Sequence, residues 1–386
     1  LSTAYTGRGS SAALSFAIPI NAAASQKVTF TGDIDLTGTG ILGIGKDNIE
    51  KGVTAQEFAG TLDGSSHTIT LDIGTTYGAG LSDTDNAAGQ LYAKRSDQRD
   101  AHYSLALIPF AGDVTIQNLT IAGTVACRVP QNVNETDDIK YPAFLSAAVG
   151  LASGATKFES VDVETKISVT AEKDAQELHV WQAGFLGRCE SKALSFQNCT
   201  WGSDSTLTDK RTTENQRIGG LAAEVMGDCE VSVDACTLSG SITSKSTSNA
   251  KVGGLIAVSR GETQNGTTSA DTTIKISNLQ VNEEKINTNG ANKTSGGLLG
   301  YQWKNTNVVF AASADNTASK SGVTISGATL NANAQFGGLV YQATGYWNAT
   351  AANSIIFEKK EVQQHLPENQ RRIRQAVCWW EPVCSK

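Results

Sequence analysis

The chain has 386 residues, 18% charged and 39% hydrophobic, with a formal net charge of −7. Acids and bases are interspersed, so there is no basic field for nucleic acid, no polybasic strip for anionic lipid, and no apolar run long enough to insert in a membrane. With 38 Gly, 6 Pro and abundant Ser, Thr and Asn, the composition favours strands and turns over long helices and predicts an all-β chain.

Leu1 to Ser25 lacks the basic start of a signal peptide, so an exported form is expected to have lost its signal already or to carry it outside this sequence. Val28 to Leu36 (VTFTGDIDL) and Phe58 to Leu71 (FAGTLDGSSHTITL) alternate apolar and polar residues and read as the opening turns of a repeat, with 1–57 as an N-terminal cap and first turns. Tyr77 to Tyr103 is polar and rich in charge and reads as a loop excursion from one corner (77–103). Gln131 to Tyr141 and Gly261 to Asp271 read as further corner loops.

One pattern then returns six times: apolar, any, apolar, two spacers, apolar, any, apolar. It reads Val114, Ile116, Leu119, Ile121, then Phe158, Val161, Val163, then Leu194, Phe196, Cys199, Trp201. It continues as Val233, Cys236, Leu238, then Ile274, Ile276, Leu279, Val281, and last Val323, Ile325, Ala328, Leu330. The second apolar positions, 116, 158, 196, 233, 276 and 325, differ by 42, 38, 37, 43 and 49, so a fixed core carries loops of variable length. Within each copy the period-two alternation slips by one residue, which would turn half the strand outward unless the chain bends. The bend falls at Asn118, Ser160, Asn198, Ala235, Asn278 and Gly327, and Asn and Gly are the residues that tolerate left-handed dihedrals.

A second element recurs as GGLAAEV from Gly219, GGLIAVS from Gly253, GGLLGYQ from Gly296 and GGLVYQA from Gly337, with weaker versions from Ala183, Pro142 and Ala106. The paired glycines mark a tight place where a side chain would collide with the neighbouring turn. Seven such strands at about 4.8 Å spacing would stack into a rod roughly 30 Å long. The predicted fold is a right-handed parallel β-helix of about seven to nine turns over residues 1–357. The GGLLGY-type strand, the strand after it and the FAGTLDGSSHTI segment resemble the GLUG-repeat and pectin-lyase-like β-helix regions of large bacterial surface proteins, over roughly residues 55 to 350. The resemblance implies an exported or surface-exposed setting and no particular enzyme activity.

Polysaccharide lyases and glycosidases also use such folds, so carboxylates matter: a retaining glycosidase needs two about 5 Å apart. Adjacent acids occur at Asp137 and Asp138 and at Glu283 and Glu284, beside loops, where solvated surface is the expectation. Asp63, paired in sequence with His67, is explained by its Asp-Gly turn. His67, His102, His179 and His365 are scattered without metal-site spacing, and no GxSxG, P-loop or GxGxxG motif occurs. No catalytic, cofactor-binding or metal residue is therefore assigned, and no cofactor is expected.

Of seven cysteines, Cys199 and Cys236 occupy inward positions filled elsewhere by Leu119, Leu279 and Ala328. Cys189 and Cys229 follow Gly-rich strands and are placed to stack on each other or to pair with Cys199 and Cys236; bridges within a turn, bridges between turns and free thiols all stay open. Cys378 and Cys384 flank Trp379, Trp380 and Pro382 and are placed to close a small loop; Cys127 has no evident mate. The sequons at Asn118, Asn134, Asn198, Asn265, Asn292 and Asn348 are no more numerous than chance allows. From Glu358 to Lys386 the pattern breaks: Pro367 followed by ENQRRIRQAVCWW reads as a short helix, serving as a C-terminal cap or as a docking tail.

The functional expectation is a non-enzymatic secreted or cell-surface protein serving adhesion, as a stalk or as a filament subunit, with a carbohydrate-active enzyme as the alternative. The expected partners are surface glycans or other proteins, or further copies of the chain through its C-terminal tail, with no nucleic acid and no membrane insertion.

Overall fold

The computed structural model describes residues 27–38, 57–76, 93–97, 100–129, 143–171, 180–212, 216–246, 250–261, 271–288, 294–303, 305–311, 323–332, 335–337 and 354–357. Among the described residues there is no helix, and the strands run almost entirely parallel, each paired with the strand one turn earlier or later in sequence. The result is a nearly closed, solenoid-like stack of turns.

One turn shows the plan. Val180–Ala183, Leu186–Cys189, Ala193–Gln197, Thr200–Trp201 and Thr206–Asp209 follow each other around the core. Each pairs in parallel with its equivalent in the next turn: Arg217–Gly219, Ala222–Met226, Glu230–Asp234, Thr237–Leu238 and Ser241–Ser244. In earlier turns the later strands run on without a break, as in Thr156–Ala171 and Ile108–Val129.

The six predicted bend residues all have positive φ: Asn118 49°, Ser160 54°, Asn198 53°, Ala235 52°, Asn278 50° and Gly327 65°. In the first five, which lie between the third and fourth strands, this left-handed residue swings the chain while keeping both flanking alternations inward. Phe196 before the bend and Trp201 after it are both buried, as are Ile276 and Val281 in a later turn. The Gly-Gly corner joins the first strand to the second. A Cβ on Gly219 would overlap the carbonyl of Ala222, and one on Gly220 would overlap the carbonyl of Gly254 in the next turn. The chain closes there only where side chains are missing.

The main core is one continuous column, with two smaller apolar clusters beside it around Phe144 and around Tyr301. Phe158 and Phe196, in register on adjacent turns, stack with ring centres 5.0 Å apart and planes 7° from parallel, and Phe185 meets both rings edge-on. Trp201 is fully buried in the space left by Gly184, Gly220 and Gly240. Each fully buried side chain of this kind contributes roughly 1.5 to 3 kcal/mol.

Two sequence expectations need correction. The last copy was phased one strand early: Val308 and Phe310 pair with Ile274 and Ile276, whereas Val323 and Ile325 pair with Leu279 and Val281. Gly327 accordingly sits at the level of Glu283, whose φ is also positive at 56°, at the corner between the fourth and fifth strands. The stretch 77–103 is more than a loop, because Ala93–Asp97 and Asp100–Leu105 form an antiparallel hairpin whose second strand opens a turn. The expected C-terminal cap, 358–386, lies outside the described residues.

Candidate functional site

The third strand of each turn sends alternate side chains outward, and the parallel register stacks them into rows. One row runs Lys27, Thr61, Thr115, Lys157, Ser195, Ser232, Lys275. Most of it lines a groove of about 750 Å³, together with Asp113, Thr156 and Glu230. From Thr61 to Lys275 the groove spans five intervals of about 4.8 Å, or about 24 Å. The row gives it hydroxyls one turn apart, with lysines at every third turn, and Val114, Ala155, Leu194 and Val231 add apolar surface to the lining.

The adjacent outward row carries the carboxylates: Asp63, Gln117, Glu159, Gln197, Asp234, Ser277. Acid and neutral residues alternate, which keeps like charges two turns, about 10 Å, apart instead of stacking them at 4.8 Å. Each carboxylate is engaged. Asp63 accepts from the backbone N–H of Ser65 (2.9 Å), Gln117 Nε2 (2.9 Å) and Asn118 Nδ2 (3.2 Å) and pairs with Lys27 Nζ at 2.6 Å. Desolvation pushes its carboxyl up, but Lys27 and these donors outweigh that and hold it below the usual carboxylate range. Glu159 pairs with Lys157 at 2.7 Å, and Asp234 accepts from Ser277 Oγ (2.7 Å) and Asn278 Nδ2 (3.0 Å). Asp63 and Asp234 thus secure the bend of the following turn, and their spacing exceeds that of a retaining pair. His67 lies 3.4 Å from Asp33 through Nδ1, on the far side of the Asp63 bend.

A second cluster, missed by sequence reading, fills the angle between the first and second strands, whose outward faces pack on each other. Glu224 is fully buried and is surrounded by Arg188, Arg217 and Arg260. Burial pushes its carboxyl up, but the three guanidiniums outweigh that and hold it at about 2. Burial brings Arg217 down to about 10, with Glu224 opposing and the other two arginines assisting. Arg217 also lies over the ring of Trp181, 3.8 Å from its centre, and Arg260 lies over Trp303. Arg217 and Glu224 lie seven residues apart in one turn, and the stacking of turns brings Arg188 and Arg260 to them from the turns on either side.

Glu283 is exposed as expected, but Glu284 is only 2% exposed. The positive φ of Glu283 turns the next residue inward. The carboxylate of Glu284 occupies the place a Cβ on Gly254 would take, and its Oε1 has no hydrogen-bond partner. Burial alone raises its pKa to about 8, so the group is neutral in the fold at physiological pH.

Cys189, Cys199, Cys229 and Cys236 are all buried, and the stacking sets Cys189 against Cys229 and Cys199 against Cys236. Asn118 and Asn198 stand at bends; Asp137, Asp138, His179, His365, Cys378 and Cys384 lie outside the described residues. Among the described residues no three His, Cys, Asp or Glu side chains come together as a metal site would require. The chain matches no protein-family model, no curated protein and no solved structure.

Proposed function

We propose that the chain is a right-handed parallel β-helix region of a secreted or cell-surface protein, and that it acts without catalysis. It holds an extended polysaccharide in the groove along its third strands and so serves adhesion. The observation that carries this reading is the in-register row Thr61, Thr115, Lys157, Ser195, Ser232, Lys275 lining one groove. Evenly spaced hydroxyls and ammonium groups match a repeating polymer better than a compact ligand, because the hydroxyl, hydroxyl, lysine order recurs along the groove. The carboxylates of the adjacent row favour binding over turnover: Asp63 and Asp234 hold bends, Glu159 is ion-paired, and Asp63 stays ionised instead of poised as an acid; within the groove, Asp113 accepts from the Ala155 N–H at 2.7 Å.

Binding of a panel of neutral and anionic polysaccharides, followed with assays for new reducing ends and unsaturated products, tests this reading. Saturable binding without products is expected, and weakening by Lys157→Glu and Lys275→Glu when the polymer is anionic. Robust turnover would replace adhesion with a carbohydrate-active enzyme, and absence of binding across the panel would remove the polysaccharide.

A further inference from the structure

We propose that the turn of residues 180–209 is stapled to the turn of residues 217–244 by two disulfide bonds, Cys189 to Cys229 and Cys199 to Cys236. This goes beyond the polysaccharide reading and stands independently of it.

The Sγ atoms of Cys189 and Cys229 lie 3.8 Å apart, in van der Waals contact, across the corner between the second and third strands. Cys199 and Cys236 sit at one level of adjacent parallel strands: Thr200 pairs with Thr237, and the Thr237 N–H donates to the Cys199 carbonyl at 2.9 Å. Both follow a left-handed residue, Asn198 at φ 53° and Ala235 at φ 52°, so both side chains leave the bend in the same direction. Strands about 4.8 Å apart put paired Cα atoms within the 4.4 to 6.8 Å that a disulfide spans. At the level of Cys199 and Cys236 the other described turns carry His67, Leu119, Val161, Leu279 and Val323, so among the described residues cysteine stands at this level only in two neighbouring turns, between larger apolar residues.

With a small disulfide such as oxidised glutathione as oxidant, one protein thiolate attacks a sulfur, breaks that S–S bond and expels one glutathione thiolate. The second protein thiol then gives up its proton and attacks the mixed disulfide, forming the protein S–S bond and expelling the second glutathione. Two protein thiols lose two electrons and two protons, and one glutathione disulfide becomes two thiols. All four cysteines are 1% exposed or less, so the exchange takes place before the two turns have closed.

The test refolds the denatured full chain in a mixture of reduced and oxidised glutathione, alkylates remaining thiols in denaturant, and maps peptides by mass spectrometry without reduction. Trypsin cuts at Lys192, between Cys189 and Cys199, and a glutamyl protease cuts at Glu230, between Cys229 and Cys236, so every pairing is distinguishable. The expected result is cross-linked peptides joining Cys189 to Cys229 and Cys199 to Cys236, lost on reduction, and a higher melting temperature than for chain refolded with dithiothreitol. Cys189→Ser is expected to remove the first link and keep the second, and Cys199→Ser the reverse. Recovery of either pair as alkylated thiols overturns the assignment for that pair, and links of Cys189 to Cys199 or Cys229 to Cys236 overturn both.

Discussion

Replacing Glu284 with glutamine tests whether a single buried carboxyl sets the pH dependence of stability. In the unfolded chain the group titrates near 4.5, and in the fold burial moves it to about 8. At low pH the carboxyl is protonated in both states and the fold carries no electrostatic penalty. As the pH rises through the unfolded value, the unfolded chain releases the proton while the folded chain keeps it, so stability falls. Above the folded value both states are ionised and the loss is complete. A displacement from 4.5 to about 8, at 1.36 kcal/mol per unit, corresponds to about 5 kcal/mol. Urea unfolding followed by tryptophan fluorescence at about pH 5, 7 and 9 measures it for both chains. The wild-type midpoint is expected to fall relative to Glu284→Gln across this range, with the variant the more stable at the alkaline end. Parallel pH profiles for the two chains would refute the reasoning, because every other titrating group is common to both.

Five further substitutions at four positions probe the frame. Ala235→Gly is expected to stabilise by about 1 kcal/mol, because glycine relieves the left-handed strain at φ 52°, while Ala235→Val destabilises; denaturant midpoints give both signs. Trp201→Ala is expected to cost about 3 to 5 kcal/mol by emptying the space enclosed by Gly184, Gly220 and Gly240. Gly240→Ala destabilises from the opposite side, since its Cβ would stand 2.5 Å from the Trp201 ring, and thermal unfolding ranks the pair against wild type. Glu224→Gln is expected to cost about 3 to 5 kcal/mol at neutral pH, because three guanidiniums keep their places without their anion. In the wild type that contribution is fully present above 4.5 and is lost as the pH falls through about 2, so the variant's acid unfolding limb is expected to be shallower.

The bends were legible in the sequence because a one-residue slip in a period-two pattern has one structural solution, and even Ala235 and Ser160, poor residues for positive φ, are located by phase alone. The Gly-Gly corners were legible for a similar reason, as only a missing side chain admits the neighbouring carbonyl. The last copy was misread because Val323 and Ile325 show the same apolar-any-apolar form as Val308 and Phe310, and 312–322 stand where other turns have a single bend residue. The charge cluster left no local signal, since Arg188, Arg217, Glu224 and Arg260 each sit on a different strand. Glu284 was masked by its exposed neighbour. Its level in the stack, shared with Thr165, Ser205 and Gly240, holds small inward residues, and aligning the turns by register would have marked it as buried.

The central claim is that stacked turns build one continuous binding face, and affinity measured against a graded series of oligosaccharides from the polysaccharide that binds best tests it most directly. The account predicts that affinity climbs with chain length and levels off once the ligand spans about 24 Å, from Thr61 to Lys275, with the ligand recovered intact. Full affinity for the shortest member of the series, or cleavage of the longer ones, would contradict it.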